Sequence, residues 1–300
     1  MKKIFSILLL VLCLNLFPLV SYAKITQFGD ITYAEDISVK ELETLFKQHK
    51  YKRFRALNDD TYPKIFVKNL PTDFQEITSQ KYRNELFIRI LAPLALKINE
   101  EIQNERNTLL RIENSYLANK TLSTKEQETL EFLSKKYDYF TRHKDDIRIN
   151  LQLENLKLRI ERIPPSILIS VAAMESNWGF SRPAKLANSL YKEKVWNTTE
   201  GLEPIENKED GFRFKIFDSL IDSMRSYALT FNSNINFQST WITRQETMKR
   251  QQGEALGDNI AYSLSTASNL PNYSGILEYT TAFYDLFSID IGHLKRKDLK

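Results

Sequence analysis

The sequence predicts a mainly α-helical protein (α+β) with one small β element, and three observations point that way. Glycine is scarce, 8 in 300 residues, so few hairpin turns are available. Long stretches mix Leu with Lys, Glu and Arg at helical spacing. Against these stands one period-two stretch, in which Arg213 and Lys215 separate Phe212, Phe214 and Ile216. The length suits one large domain or two small ones, and 42% hydrophobic with 27% charged residues is ordinary globular composition.

The elements follow in order. Residues 1–23 begin with Lys2 and Lys3, continue apolar from Ile4 to about Val20, and end in Ser21, Tyr22 and Ala23. That is the pattern of an export signal, with cleavage expected before Lys24. An uncleaved anchor is the alternative, but the apolar run is short and broken by Asn15 and Pro18. Cys13 lacks the small preceding residues of a lipoprotein signal. Residues 24–150 read as a helical N-terminal region. Ser38 and Glu41 form a capping box that opens a helix with Leu42, Leu45 and Phe46 on one face. Pro63 and Pro71 punctuate an irregular stretch. Residues 79–119 read as one long helix, or two joined at a kink at Pro93. A second box, Ser123 to Glu126, starts a helix that pairs antiparallel with the one before it.

Residues 151–288 form the second unit. Pro165 starts "SILISVAAMESNW", which is apolar nearly all round and therefore expected in the interior, with Gly179 as its stop. Ser181 caps a short helix, and residues 191–217 hold a small strand or hairpin. Asp218 is expected to cap "SLIDSMRSYALTF". A last helix covers about 272–287, and residues 289–300 form a basic tail, frayed at its end.

Several chemistries are excluded. Signal cleavage removes the single cysteine, Cys13, and with it any disulfide or Cys-based metal site. It also removes Lys2 and Lys3, leaving 40 basic residues against 38 acidic ones and no basic stripe for nucleic acid. His49, His143 and His293 are scattered without metal-ligand spacing and are expected at the surface. No nucleophile elbow, P-loop or dinucleotide fingerprint is present. No metal and no cofactor is expected.

One residue breaks the apolar helix. Glu175 stands in its last turn, in "VAAMESNWGFS". Burial penalises the carboxylate, and so does the partial negative charge of a helix C-terminus. Both raise the pKa, giving an acid able to protonate a departing sugar oxygen. Trp178, at i+3, is expected on the same helix face as a flat apolar wall. The plainer alternative is an exposed Glu175 paired with Arg182.

The stretch "ILISVAAMESNWGFSRPAKLANSLY" resembles the glucosaminidase-domain family of bacterial peptidoglycan hydrolases. The motif A-x-x-E-S-x-W-G-x-S falls on Ala172, Glu175, Ser176, Trp178, Gly179 and Ser181, and the following helix brings Ala184, Asn188, Leu190 and Tyr191. Ser189 stands where a second Asn is common. The resemblance covers about 150–288. In front of it, Leu91, Pro93, Leu94, Asn99, Ile102 and Arg106 resemble the Bax-type subgroup.

The resemblance implies a lysozyme-like helical catalytic lobe with a small β-lobe, acting on peptidoglycan glycan strands in the periplasm. Its reaction is hydrolysis of the β-1,4 bond between N-acetylglucosamine and N-acetylmuramic acid, with Glu175 as general acid and no cofactor. Glu200, in "TTE", matches the family's β-lobe acid, with Glu203, Glu206, Glu209 and Asp210 as rivals. Substrate assistance by the N-acetyl oxygen is the alternative. A site tyrosine expected near Thr266 and Ala267 is missing; Tyr262 is the substitute, and Tyr273 fits the second tyrosine of that pattern. Trp178, Asn188, Tyr191 and Trp196 lie where the family builds its groove. Tyr227 faces inward by periodicity and could reach the groove, although core packing is the preferred reading; Trp241, outside the motif, reads as core. Two rival functions remain: a lytic transglycosylase, and a catalytically weak wall-binding or scaffolding protein. The sequence names no partner for the N-terminal region.

Overall fold

The computed structural model describes residues 23–52, 60–139, 146–206, 208–250, 256–264 and 272–295. The export signal lies almost wholly outside them, as do Cys13, His143, residues 265–271 and the last five residues of the tail. The architecture is mainly helical with small sheets.

The chain enters through a hairpin that the residue pattern did not announce. β1 (Lys24–Phe28) and β2 (Ile31–Glu35) pair antiparallel around Gly29 and Asp30. Gly29 takes φ +62, a left-handed turn position. β1 shows no alternation because it is exposed along its length. α1 (Val39–Gln48) has the expected capping box and buries Leu42, Leu45 and Phe46. β3 (Thr61–Tyr62) and β4 (Ile65–Val67) follow, and β4 runs parallel to β2 in a sheet of order β1-β2-β4. β4 is buried on both faces, so it too lacks a period-two signature.

α2 (Gln80–Asn119) is one 40-residue helix that runs through Pro93. α3 (Thr124–Lys136) starts at its predicted box, and α4 (Asp146–Arg159) leads towards α5 (Pro165–Ser176) and α6 (Arg182–Ala187). β5 (Lys194–Trp196) and β6 (Phe212–Phe214) make the expected small antiparallel hairpin. α7 (Leu220–Ser233) is capped by Ser219, whose hydroxyl accepts from the Asp222 amide, and not by Asp218. Ser219 holds the extended backbone that a cap requires, one residue later than predicted. α8 (Gln238–Lys249) and α9 (Leu256–Leu264) were not anticipated, and α8 is largely polar yet buries Trp241 and Arg244. α10 (Tyr273–Phe283) and a 3-10 turn, Leu286–Ile289, replace the single last helix. β7 (His293–Leu294) then pairs with β3, so the final segment returns to the N-terminal region. Ile289 and Leu294, in the segment read as a tail, are buried. Among the described residues no helix is long and apolar enough to cross a membrane.

α2 packs on both α5 and α7. Its polar residues hold the chain that crosses from α4 to α5. That crossing has no ladder of its own, so its backbone groups need partners. Asn99 takes both sides of Ile163: Nδ2 donates to the carbonyl at 2.7 Å and Oδ1 accepts from the amide at 3.0 Å. Arg106 donates to the Lys157 and Ile160 carbonyls and pairs with Glu161 at 3.0 Å. From the other side comes Arg244 of α8, 1% exposed, which donates to the carbonyls of Leu158, Arg159 and Glu161 and to Asn232. Burial pushes the Arg244 guanidinium down to about 10, which still leaves it charged at neutral pH. Its charge meets the negative end of the α4 dipole.

The start of α5 is fixed by Asp290, whose carboxylate accepts from the Ser166 amide at 2.8 Å and hydroxyl at 2.7 Å. Burial nevertheless raises this acid to about 7.

Replacing Asn99 by Ala leaves the buried Ile163 amide and carbonyl unpaired. The expected cost is about 2–4 kcal/mol, seen as a lower urea midpoint for residues 24–300. Asp290 binds its proton more tightly folded than unfolded. Its contribution to stability is full below about pH 4 and is lost as pH rises through about 7. Asp290→Asn removes that component, so wild type minus variant stability should fall across this window; a flat difference would sink the assignment.

Candidate active site

α5 is buried from Pro165 to Ala173 because no face of it is polar. Its polar end comes where it reaches the surface. The helix stops at Ser176, earlier than the expected stop at Gly179. Asn177, Trp178 and Gly179 are all left-handed, with φ of 50, 57 and 78. Ser176 organises this turn: its hydroxyl donates to the Ala172 carbonyl at 2.6 Å and accepts from the Gly179 amide at 2.8 Å. The Trp178 amide donates back to Ala173. Glu175 is thus the penultimate residue of the helix, partly exposed just before a wound turn.

The N-terminal region holds the turn from outside. Gln75 donates to the Gly179 carbonyl at 2.9 Å. Leu70, Phe74 and Phe87 close over Gly179, and a Cβ there would meet Leu70 Cδ1 at 2.8 Å. Trp178 does not share the helix face of Glu175, as i,i+3 spacing predicted, because it stands beyond the helix end. Its ring packs between Phe87, at 6.1 Å, and Tyr284, at 4.7 Å.

Glu175 is not paired with Arg182, which donates to the Glu203 carbonyl at 2.6 Å. Burial raises the Glu175 pKa, and the Lys192 ammonium opposes the rise. Tyr227 and Tyr273 both feel the Glu175 charge, and their phenols are pushed up chiefly by burial. Tyr273 is 8% exposed at the start of α10. Tyr227 lies flat on Tyr191, with centroids 4.1 Å apart and planes within 2°. The Tyr191 hydroxyl is spent on the Leu168 carbonyl of α5 at 3.0 Å. Tyr227, for which periodicity left core packing or the groove open, packs against the core and stacks on Tyr191.

The remaining expected residues stand elsewhere. Asn188 ends α6 in a left-handed conformation, and its amide donates to the Phe217 carbonyl, pinning α6 to the chain after β6. Ser189, in place of the commoner Asn, is buried with an unpartnered hydroxyl. Trp196 is 55% exposed on β5, edged by Phe212. Tyr262 is 70% exposed on α9. Glu200 is exposed after β5, its amide donating to Thr198. Glu203, Glu206, Glu209 and Asp210 are exposed as well. The place of the missing tyrosine, Thr266 and Ala267, lies outside the described residues.

One acid was overlooked. Glu193, between Tyr191 and β5, is raised by burial; Ser226 donates to its Oε2 at 2.7 Å, and Lys215 stands 3.8 Å away. Its Oε1 is buried without a partner. Nothing in "YKEK" marked it out. Two cavities, of about 530 and 340 Å³, lie along α2 and α7, and neither is lined by Glu175. Among the described residues no group of three or more His, Cys, Asp or Glu could hold a metal.

Residues 155–284 match the glucosaminidase family, described as mannosyl-glycoprotein endo-beta-N-acetylglucosaminidase. It is 28% identical over 181 residues to Protein bax of Escherichia coli (strain K12). That match spans 60% of this chain and 62% of the relative's length. Among solved structures, the catalytic domain of the autolysin Auto from Listeria monocytogenes is 18% identical at a TM-score of 0.34. It covers 60% of this chain and 96% of that one. Neither likeness is close enough to carry residue roles across.

Gly179→Ala places a Cβ at a left-handed position against Leu70 and Phe74. The expected loss is about 1–3 kcal/mol, measured by urea unfolding, and relief by a second change, Leu70→Ala, would identify the clash as its cause.

Proposed function

We propose that this chain is an exported glycoside hydrolase that cleaves the β-1,4 bond between N-acetylglucosamine and N-acetylmuramic acid in peptidoglycan. One observation carries the reading: the Glu175 carboxyl ends a rigid apolar helix, raised by burial, with no hydrogen bond or ion pair to any described residue. An acid without a partner among the described residues is free to protonate the glycosidic oxygen while an oxocarbenium-like centre develops. The family match over residues 155–284 supports the chemistry, and the pattern of residues 1–23 supports export.

Glu200 is our candidate for the second group, which stabilises the cation or activates water. It stands on an exposed loop, so it works only if that loop closes over bound glycan. Otherwise the substrate's own N-acetyl oxygen takes the role. Trp196 and Tyr262, both exposed, offer rings to sugar faces, and Tyr191 and Tyr273 are our further candidates for the groove.

The test is digestion of purified peptidoglycan by residues 24–300, followed by mass spectrometry. Reducing N-acetylglucosamine ends are expected, and anhydro-muramic ends would reassign the reaction to a transglycosylase. Glu175→Gln should lower kcat by about 10²–10⁴-fold. The reaction needs the protonated acid, so kcat/KM should fall as pH rises through the raised Glu175 pKa, and that limb should vanish from the residual activity of the Gln variant. If Glu200→Gln is silent, N-acetyl assistance is the remaining route.

A further inference from the structure

β1 is an edge strand, and the bonds of its sheet fix which way its backbone points. The Thr32 amide donates to the Lys64 carbonyl, and the Ala34 carbonyl accepts from the Lys68 amide, both at 2.8 Å. Thr32 and Ala34 therefore turn their backbone groups to β4, and Ile31, Tyr33 and Glu35 turn theirs to β1. The partners of these three are Phe28, Thr26 and Lys24. That leaves the amides and carbonyls of Ile25 and Gln27 directed outward, away from β2. Among the described residues no backbone bond reaches them.

The side chains at this edge are apolar and open to solvent: Ile25 is 50% exposed, Tyr33 46% and Phe28 65%. The rings of Phe28, Tyr33 and Phe66 follow one another at 6.2 and 5.7 Å between centroids. Together with Lys24 they wall the larger cavity. Sheets protect an open edge with a charge, a proline or a bulge in mid-strand. β1 has none of these there, and its one charge, Lys24, stands at its end.

The edge is complementary to itself. Ile25 and Gln27 flank Thr26 symmetrically. A second β1, antiparallel about a two-fold axis at Thr26, sets Ile25 against Gln27 twice. Each of these pairs exchanges two hydrogen bonds. The same axis brings Lys24 beside Phe28 of the second copy on the cavity face, where an ammonium over a ring is favourable. A glycan carries no ladder of amides and carbonyls, so it does not satisfy this edge; another β1 does.

We propose that the chain pairs with a second copy of itself through β1, the two sheets joining across a two-fold axis at Thr26. The contact is isologous and short, so the dimer is weak and concentration-dependent. Nothing in it uses the reading of Glu175, and the two fail or stand separately.

Residues 24–300 contain no cysteine, so single cysteines report the register. Thr26 and its symmetry mate form a non-hydrogen-bonded pair, with Cα atoms about 4.5 Å apart, inside the disulfide range of about 4.4–6.8 Å. Phe28 and its mate lie several residues out of register. Under mild oxidation Thr26→Cys should give a disulfide-linked dimer about tenfold faster than Phe28→Cys. In sedimentation velocity the wild type should pass from monomer to dimer as its concentration rises. Gln27→Pro removes an outward amide and leaves the ladder to β2 intact, so it should weaken the dimer about tenfold or more. Gln27→Ala keeps that amide and should weaken it little; circular dichroism checks that both variants fold. A dimer that Gln27→Pro leaves unchanged overturns the inference, as does equal cross-linking at Thr26 and Phe28. A wild type that stays monomeric at every concentration overturns it too, and leaves the edge to an extended segment of a different protein.

Discussion

The crossing between α4 and α5 is the constraint on which the rest of the structure depends. Residues 160–163 lie outside any helix or sheet, and the last carbonyls of α4 before them have no helical partner; such groups, when buried, must be paired. Asn99 and Arg106 supply partners from α2, and Arg244 supplies them from α8. The crossing delivers the chain into α5. Any slack there would be passed along a helix that is buried on all sides and cannot correct itself. A guanidinium suits the task because its donors fan out in a plane and reach several carbonyls at once.

The far end of α5 is fixed by different means. Three consecutive left-handed residues turn the chain, and Ser176 ties the turn with one hydroxyl that both donates and accepts. This gives the Ser that follows Glu175 a structural reason. The turn is strained at Trp178, which is not a glycine, and that strain is offset by packing against Phe87 and Tyr284. Glu175 therefore sits between two rigidly held points, which is the condition for placing a proton within hydrogen-bond reach of a substrate oxygen.

The N-terminal region thus acts as part of the scaffold of the site. Gln75, Leu70, Phe74 and Phe87 grip the turn after Glu175, and Asn99 and Arg106 grip the crossing before it. β7 pairing with β3 carries the far end of the chain into the same arrangement. The exposed hairpin of β5 and β6 is held more lightly, at its root, by Asn188, Glu193 and Lys215. A firm helical body with a lightly held hairpin suits a site that must admit and release a polymer.

The residues by themselves determined the helical character, both capping boxes, the buried helix α5 and the position of its one acid. These are legible because they depend on local spacing: helix period, cap geometry and a charge in an apolar run. Local spacing could not show β1 and β4, one exposed throughout and the other buried throughout, since neither alternates. It misplaced Trp178 by continuing the helix one turn too far, because the left-handed turn is set by Ser176, Gln75 and Phe87, residues up to 104 positions apart in their bonding. It left Tyr227 between core and groove and overlooked Glu193. Their surroundings come from α5, α7 and the segment after α6, which meet only in the folded chain. The tertiary structure alone decided which groups face Glu175, because burial and electrostatic proximity are properties of the assembled surfaces and not of the chain's own period.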